Sequence, residues 1–278
     1  MRNRRMRFPA VIVPLLVVTS CVPVSERGVP PLTGVAQPVP VAAKAELPSR
    51  PPDAPRATSG EYSGMGFEGV AFDSRSHRLV IADQDGSPGS RFPDAAAAAR
   101  SRGGLAALNG GFFTPAGEPL GLVISSGKSA GAWNTASSLG SGMWHEDAAG
   151  QSAISRREAL GGGATPAMRE LLQAGPMLLE NRRSISGLDA GKSSVRSLIL
   201  WDGGSRWWLG RTSACTLTDL SASLVRSQPA GWPIRFALNL DGGRSSELWI
   251  SGALAGGPVS RRPPWNRPVR NFLVLMPR

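Results

Sequence analysis

Two short polar loops hold the residues of this chain best suited to chemistry: Asn109-Gly110-Gly111-Phe112-Phe113, and Asn-Leu-Asp-Gly-Gly-Arg-Ser-Ser from Asn239 to Ser246. Each loop follows an apolar run typical of a strand, 105–108 in the first case and 236–238 in the second. Paired glycines allow positive φ and let a ligand approach main-chain N–H groups. We therefore expect the two loops to form a site for an anionic or polyhydroxylated ligand.

The same glycine pairs also suit an ordinary turn, and both interpretations stay open at this point. Asn-Gly and Asp-Gly are strong hairpin signals. The segment from Leu198 to Leu209, with Asp202-Gly203-Gly204 at its centre, fits a plain β-hairpin. The second polar loop differs from that hairpin in two ways. Asn239 and Asp241 share one face of the preceding strand at period two, and two serines follow the glycines.

The elements that must position these loops read as an α+β domain, a strand-rich mixed sheet with about three helices, over residues 59–278. About 220 residues are enough for a single domain with a sizeable core. We expect 67–72 and 78–82 to pair across a short turn. The predicted helices are Asp94–Arg102, Pro166–Gln173 and Thr216–Ser227.

The N-terminal residues predict export and a lipid anchor. Residues 1–20 combine an arginine-rich start with an apolar stretch too short to span a bilayer. Cys21 ends a lipobox-like Val-Thr-Ser-Cys, so the expected membrane partner is a lipid on Cys21; an ordinary secretory signal is the alternative. Residues 21–58 hold nine prolines and no aromatic residue, which predicts a disordered tether. We expect a lipid-anchored protein of the bacterial envelope.

Composition argues against several classes of site. With Cys21 lipidated, Cys215 has no disulfide partner, and two histidines, His77 and His145, are too few to favour a Ser-His-Asp triad or a His-based zinc site. The net charge of +11 falls to +7 once the signal is removed, and the arginines are scattered. We therefore expect no nucleic-acid partner, and a positive field that attracts anionic glycans.

Five short motifs resemble those of the phosphodiester glycosidase family in order and spacing, over approximately Gly64–Pro277. They are Asn109-Gly110-Gly111-Phe112-Phe113, Gly175-Pro176 before an apolar run, Arg196 at the start of a strand, Asn239 to Gly243 with Ser245-Ser246, and Arg267-Pro268-Val269 with Asn271. The family includes the mammalian lysosomal enzyme that uncovers mannose 6-phosphate by removing N-acetylglucosamine. Many bacterial relatives are exported, and some are described as exopolysaccharide-related. The resemblance implies an exported hydrolase that cleaves a sugar-1-phosphodiester in a glycan.

A phosphate leaving group makes one carboxylate sufficient, because it departs without the strong acid that other glycosidases need. Given the resemblance, we assign catalytic roles to Asp241, Asn109 and Arg196: Asp241 as nucleophile or base, Arg196 as a phosphate clamp. The sequence does not identify the ligands of any metal. No cofactor is expected to be required, although structural calcium is compatible with the family. The expected substrate-binding residues are Gly110, Gly111, Asn239, Gly242, Gly243, Ser245, Ser246 and Arg267.

Two positions depart from the family pattern. Arg244 stands where a third glycine is usual, and Ser197 stands where threonine is usual. Arg244 is either an additional phosphate contact or a side chain that fills the pocket of an inactive member. The second possibility supports an alternative function, a non-catalytic glycan-binding or exopolysaccharide-export accessory lipoprotein.

Overall fold

Strands dominate the computed structural model, which describes residues 51–160 and 168–278. The two α-helices are α1 (Ala95–Ser101) and α2 (Leu217–Arg226). The strands are β1 (Arg56–Tyr62), β2 (Met65–Asp73), β3 (His77–Asp83), β4 (Ala106–Asn109), β5 (Val123–Ser125), β6 (Lys128–Ala130), β7 (Gly142–Asp147), β8 (Ser152–Arg156), β9 (Met168–Ala174), β10 (Met177–Glu180), β11 (Arg183–Ser184), β12 (Ser197–Trp201), β13 (Arg206–Thr212), β14 (Phe236–Asn239), β15 (Leu248–Ile250), β16 (Val259–Arg261) and β17 (Asn271–Pro277).

The strands form three sheets instead of the single mixed sheet that we expected. The first sheet has the order β1-β2-β13-β12-β14-β10-β11, the second β16-β15-β4-β17-β3, and the third β6-β5-β9-β7-β8. Neighbouring strands in all three sheets pair antiparallel over the described residues. The strand-rich α+β class is confirmed.

The main core lies where the three sheets meet, and each helix covers the outer face of one sheet. Alternation along β13 shows the arrangement: Trp207 and Leu209 enter the central core, whereas Trp208 lies on the other face, under α2. Both tryptophan rings are buried. The sequence predicts the hairpin of β12 and β13 correctly. Although the two rings point to opposite faces of the sheet, neither faces solvent, because the second face packs against the residues of α2.

Helix α1 covers the second sheet with three buried alanines, and both helices begin where the sequence predicts. The Asp94 side chain accepts a hydrogen bond from Ala97 N, and Thr216 accepts one from Asp219 N, which satisfies backbone donors that a helix start leaves free. The helix expected at Pro166–Gln173 is wrong, since β9 begins at Met168 and pairs with β5 and β7. Pairing on both sides outweighs the local helix propensity of its sequence.

Two further expectations about the first strands need correction. β2 and β3 follow one another in sequence but belong to different sheets, so they do not form the predicted hairpin. β1 begins at Arg56, so residues 56–58 pair with β2 instead of belonging to a disordered tether. The Trp208 Nε1 atom also donates to Thr58 Oγ1 at 2.8 Å. The expected signal, Cys21 and most of the expected tether lie outside the described residues.

The outer edge of β3, at the margin of the second sheet, is covered by side chains of the third sheet. Glu170 on β9 accepts a hydrogen bond from Ile81 N at 2.9 Å, and Ser125 donates to Ile81 O at 2.8 Å. Both backbone groups of Ile81 are therefore satisfied without another strand. Burial raises the pKa of Glu170 to about 7, with the neighbouring Glu146 carboxylate adding to the rise.

Neither helix of the described chain has the length and apolar character that crossing a membrane requires.

Candidate active site

Strand ends from two sheets meet at the two polar loops. Asn109 ends β4 in the second sheet, Asn239 ends β14 in the first, and Ser197 begins β12 beside it. The Ser197 hydroxyl donates to Asn109 Oδ1 at 2.7 Å, which links the two sheets at this point. The loop that follows β14 consequently begins where the two sheets are linked.

The backbone of Asp241 is held on both sides by the first polar loop. Asn109 Nδ2 donates to the carbonyl oxygen of Asp241 at 2.6 Å, and Asp241 N donates to Gly110 O at 3.1 Å. Leu240 N bonds Ser197 O at 2.8 Å immediately before. These bonds fix the direction in which the Asp241 side chain leaves the main chain.

The Asp241 side chain lines two adjoining compartments of one cleft. The first compartment, of about 280 Å³, is lined by Phe112, Lys192, Ser194, Arg196, Asn239, Leu240, Asp241, Gly242, Gly243 and Arg244. The second, of about 350 Å³, is lined by Phe112, Phe113, Thr114, Pro115, Asp241, Gly242, Arg244, Ser245 and Arg267. Asp241 is the single acidic residue of either lining, and four residues are cationic.

Burial raises the pKa of Asp241 from 3.8 to about 6. The Ser245 hydroxyl, the Gly242 N–H and the positive charge of Lys192 oppose that rise. Gly242 N donates to Asp241 Oδ1 at 2.9 Å. The group is therefore ionised at neutral pH and more basic than an exposed aspartate, which suits a carboxylate that must act as a base or nucleophile.

Arg196 is held by main-chain carbonyls. Its Nε donates to Cys215 O at 3.2 Å and its Nη2 to Lys192 O at 2.6 Å. No carboxylate within the described chain forms an ion pair with it. A buried guanidinium at the wall of a cleft, without an acidic partner, can bind an anion that enters from solvent.

Arg244 forms part of the wall shared by the two compartments, and the cleft remains open beside it. Its Nε and Nη2 atoms donate to Trp265 O at 3.3 and 3.2 Å. Arg267 N in turn bonds Arg244 O at 3.2 Å. Arg244 therefore borders the cleft without filling it, and its contact with phosphate stays a prediction.

Several residues expected to touch substrate instead support the loops. Asn109 is fully buried, and its Oδ1 accepts from both Ser197 and Glu247 N. The N–H groups of Gly110 and Gly111 are taken by Asn271, and a Cβ on Gly110 would lie 2.0 Å from Asn271 Oδ1. The Asn109 side chain and the N–H groups of Gly110 and Gly111 therefore hold the loops in position, and the contacts of these three residues with substrate stay a prediction.

The other predicted residues divide between support and cleft. Ser246 is buried, and its hydroxyl lies 2.9 Å from that of Ser197. Asn239 lines the cleft, donates from Nδ2 to Gly175 O at 2.8 Å, and leaves its buried Oδ1 without a partner. The residues Asp241, Arg196, Gly242, Gly243, Ser245 and Arg267 also line the cleft.

Sequence reasoning missed Lys192 and Ser194, which line the first compartment. Lys192 is one of three lysines in the chain and lies four residues before Arg196. The small number of lysines is the feature of the sequence that could have drawn attention to Lys192. The segment shows no helix or strand periodicity, so its approach to Asp241 depends on the tertiary fold.

Comparison with known proteins identifies the family of the chain. A family model described as phosphodiester glycosidase matches residues 102–276, which include both polar loops, Arg196 and Arg267. The chain belongs to the phosphodiester glycosidase family. No curated protein sequence matches it significantly.

Two solved structures share the fold of this phosphodiester glycosidase. One is the catalytic domain of zebrafish N-acetylglucosamine-1-phosphodiester alpha-N-acetylglucosaminidase, described as auto-inhibited by its pro-peptide. It has a TM-score of 0.54 and 19% identity, covering 83% of this chain and 85% of that chain. The other is a hypothetical protein from Synechocystis, with a TM-score of 0.50 and 18% identity, covering 80% of this chain and 61% of that chain.

A metal site and a cysteine nucleophile find no support in the part of the chain that the structure describes. No three of its His, Cys, Asp or Glu residues are grouped so that they could hold a metal ion, so the calcium that the family allows has no such cluster here. Cys215 is buried, and burial raises the pKa of its thiol. The thiol therefore stays protonated and packs beneath α2.

Proposed function

We propose that this phosphodiester glycosidase hydrolyses a sugar-1-phosphodiester in an envelope or extracellular glycan. The observation that carries the proposal is the cleft itself, in which the single carboxylate of Asp241 faces a surplus of cations. Water adds to the anomeric carbon, the bond from that carbon to the phosphate oxygen breaks, and the products are the free sugar and a phosphomonoester. No cofactor takes part in this reaction.

In this mechanism Asp241 acts in its ionised form, either by attacking the anomeric carbon or by taking a proton from the attacking water. Arg196 and Lys192 bind the phosphate and stabilise the negative charge that develops as it leaves. Because main-chain carbonyls already hold the Arg196 guanidinium, little reorganisation is required when the phosphate arrives.

The proposal is tested by incubating the purified full chain with a panel of sugar-1-phosphodiesters and measuring the free sugar released. We expect release, with kcat/KM rising as the pH increases through about 6, because protonated Asp241 is inactive and its pKa lies there. Every substrate returned intact after prolonged incubation, with bound ligand recovered, would instead support the alternative function, a non-catalytic glycan-binding accessory lipoprotein.

We further propose that the chain is exported and anchored to the bacterial envelope by a lipid on Cys21. The support is the sequence of residues 1–21 alone. We expect Cys21→Ser to move the protein from the membrane fraction to the periplasmic or culture fluid, as followed by immunoblotting. Cys215→Ser, which changes the other cysteine, is the control and should remain with the membrane. An unchanged membrane fraction for Cys21→Ser would exclude this anchor.

A further inference from the structure

The two compartments of the cleft carry more positive charge than one phosphodiester needs. Lys192, Arg196, Arg244 and Arg267 contribute four positive charges to the combined lining, and Asp241 contributes one negative charge. A sugar-1-phosphodiester adds a single negative charge. Two positive charges are then left over in a partly enclosed space, where like charges repel more strongly than in water.

The two positive charges that remain are those of Arg244 and Arg267, and both residues line the second compartment. Arg244 lines both compartments and Arg267 lines only the second, whose remaining surface is formed by Phe112, Phe113, Pro115 and hydroxyl-bearing residues. Asp241 lies on the wall common to both. A substrate whose anomeric carbon lies at Asp241 is therefore at the boundary and extends into both compartments.

Three other arginines in the last part of the chain form ion pairs, whereas the two arginines of the second compartment do not. Arg261 pairs with Glu68 at 2.7 Å, Arg262 with Glu247 at 3.4 Å, and Arg270 with Asp83 at 2.8 Å. Within the described chain, Arg244 and Arg267 form no ion pair. No acidic side chain of the described residues therefore competes with an incoming anion for the charges of Arg244 and Arg267.

The two arginines are also joined to each other through the main chain. The Arg244 guanidinium donates to Trp265 O, and Arg267 N donates to Arg244 O. These bonds tie the turn after Asp241 to the 265–267 segment. The bonds to Trp265 O restrain the exposed Arg244 side chain at the boundary, which lowers the entropic cost of binding an anion there.

We propose that the second compartment binds a second anionic group, a phosphate or a carboxylate, carried by the leaving group of the substrate. The substrate class is then a sugar-1-phosphodiester whose leaving group bears a further negative charge, such as a sugar linked through a diphosphate. The inference deepens the proposed function and rests on it. In this proposal, Arg244 and Arg267 make the protein bind doubly anionic substrates more tightly than singly anionic ones.

The test uses inorganic anions, so that it does not depend on the unidentified sugar. Affinities of the full chain for phosphate, pyrophosphate and phosphonoacetate are measured by titration calorimetry, for the wild type and for Arg244→Gln and Arg267→Gln. Arg261→Gln is the matched control, since it removes one positive charge from the same region while leaving the cleft lining intact. Thermal unfolding of each variant verifies that it is folded.

We expect the wild type to prefer pyrophosphate over phosphate, and each cleft variant to reduce that preference by about tenfold, the usual scale of one charge-assisted hydrogen bond. Arg261→Gln should keep the wild-type preference. Phosphonoacetate bound like pyrophosphate would show that a carboxylate suffices, whereas phosphonoacetate bound like phosphate would identify the second group as a phosphate. The same preference in the cleft variants and in the wild type would overturn the inference.

These outcomes are separate from those of the hydrolysis assay, because binding of inorganic anions requires no turnover. A chain that releases no sugar, yet prefers pyrophosphate in an Arg244-dependent way, retains the second anion site and refutes the proposed hydrolysis. A chain that hydrolyses sugar phosphodiesters with no such preference refutes the second anion site alone.

Discussion

Asp241→Asn is expected to reduce hydrolysis of a sugar-1-phosphodiester by at least about a hundredfold, and by up to about 10⁴-fold, the range contributed by a positioned acid or base. The variant should remain folded. Burial raises the pKa of Asp241 to about 6, so at pH 7 the ionised group lowers the free energy of unfolding. A neutral amide removes that penalty. We expect a melting temperature equal to or above that of the wild type, together with the loss of released sugar.

The chain provides a matched control for this variant. Asp202 begins a second Asp-Gly-Gly sequence, but it lies in the turn between β12 and β13, where its carboxylate accepts from Arg206 Nε at 2.9 Å. Asp202→Asn should leave kcat/KM unchanged. Substantial turnover in Asp241→Asn would place the catalytic carboxylate elsewhere. A loss of activity in Asp202→Asn as large as that in Asp241→Asn would remove the distinction between the two loops.

Asn109→Ala is expected to lower the free energy of unfolding by about 3 kcal/mol, because three groups, two of them buried, lose a partner at about 1–3 kcal/mol each. These groups are the Ser197 hydroxyl, the Glu247 N–H and the Asp241 carbonyl. Where the variant is still folded, kcat should fall by about a hundredfold, since small displacements of a catalytic group have effects of that size. Urea denaturation and the sugar-release assay measure the two effects.

Asn134→Ala is the control for the loss of an asparagine that holds a loop. Asn134 also donates to a main-chain carbonyl, Leu120 O, and accepts from two N–H groups, Ala136 N and Ser137 N, but these bonds are exposed and none is made to a residue of the cleft lining. We expect a smaller loss of stability and unchanged kcat. An Asn109→Ala enzyme with wild-type kcat would show that the Asp241 loop keeps its position without this contact.

The sequence predicts local structure best where one segment decides the outcome. The Asp-Gly-Gly turn at residue 202 and the caps at Asp94 and Thr216 follow from neighbouring residues, and all three are present. Prediction from the sequence fails where pairing between strands that are distant in the chain determines the structure. Met168–Ala174 becomes a strand because β5 and β7 lie on either side, and the β2–β3 turn changes sheet instead of forming a hairpin.

The candidate site shows the same limit. The glycines of both loops correctly indicate close approach, but the pattern does not reveal what approaches. At Gly110 it is the side chain of Asn271, far along the chain, and not a ligand. The cleft position of Asp241 and Arg196 was predicted, whereas Lys192 was not, because its segment has no periodicity. Burial of Asn109 likewise depends on the meeting of two sheets.

The covered edge of β3 has a consequence for the behaviour of the protein at high local concentration. An open strand edge is a template on which a strand from another molecule can add, and such addition begins many aggregates. With Ile81 already bonded to Glu170 and Ser125, that position offers an incoming strand neither a donor nor an acceptor. Copies of the protein at high concentration would then lack a pairing site at Ile81, although none of these three residues belongs to the cleft.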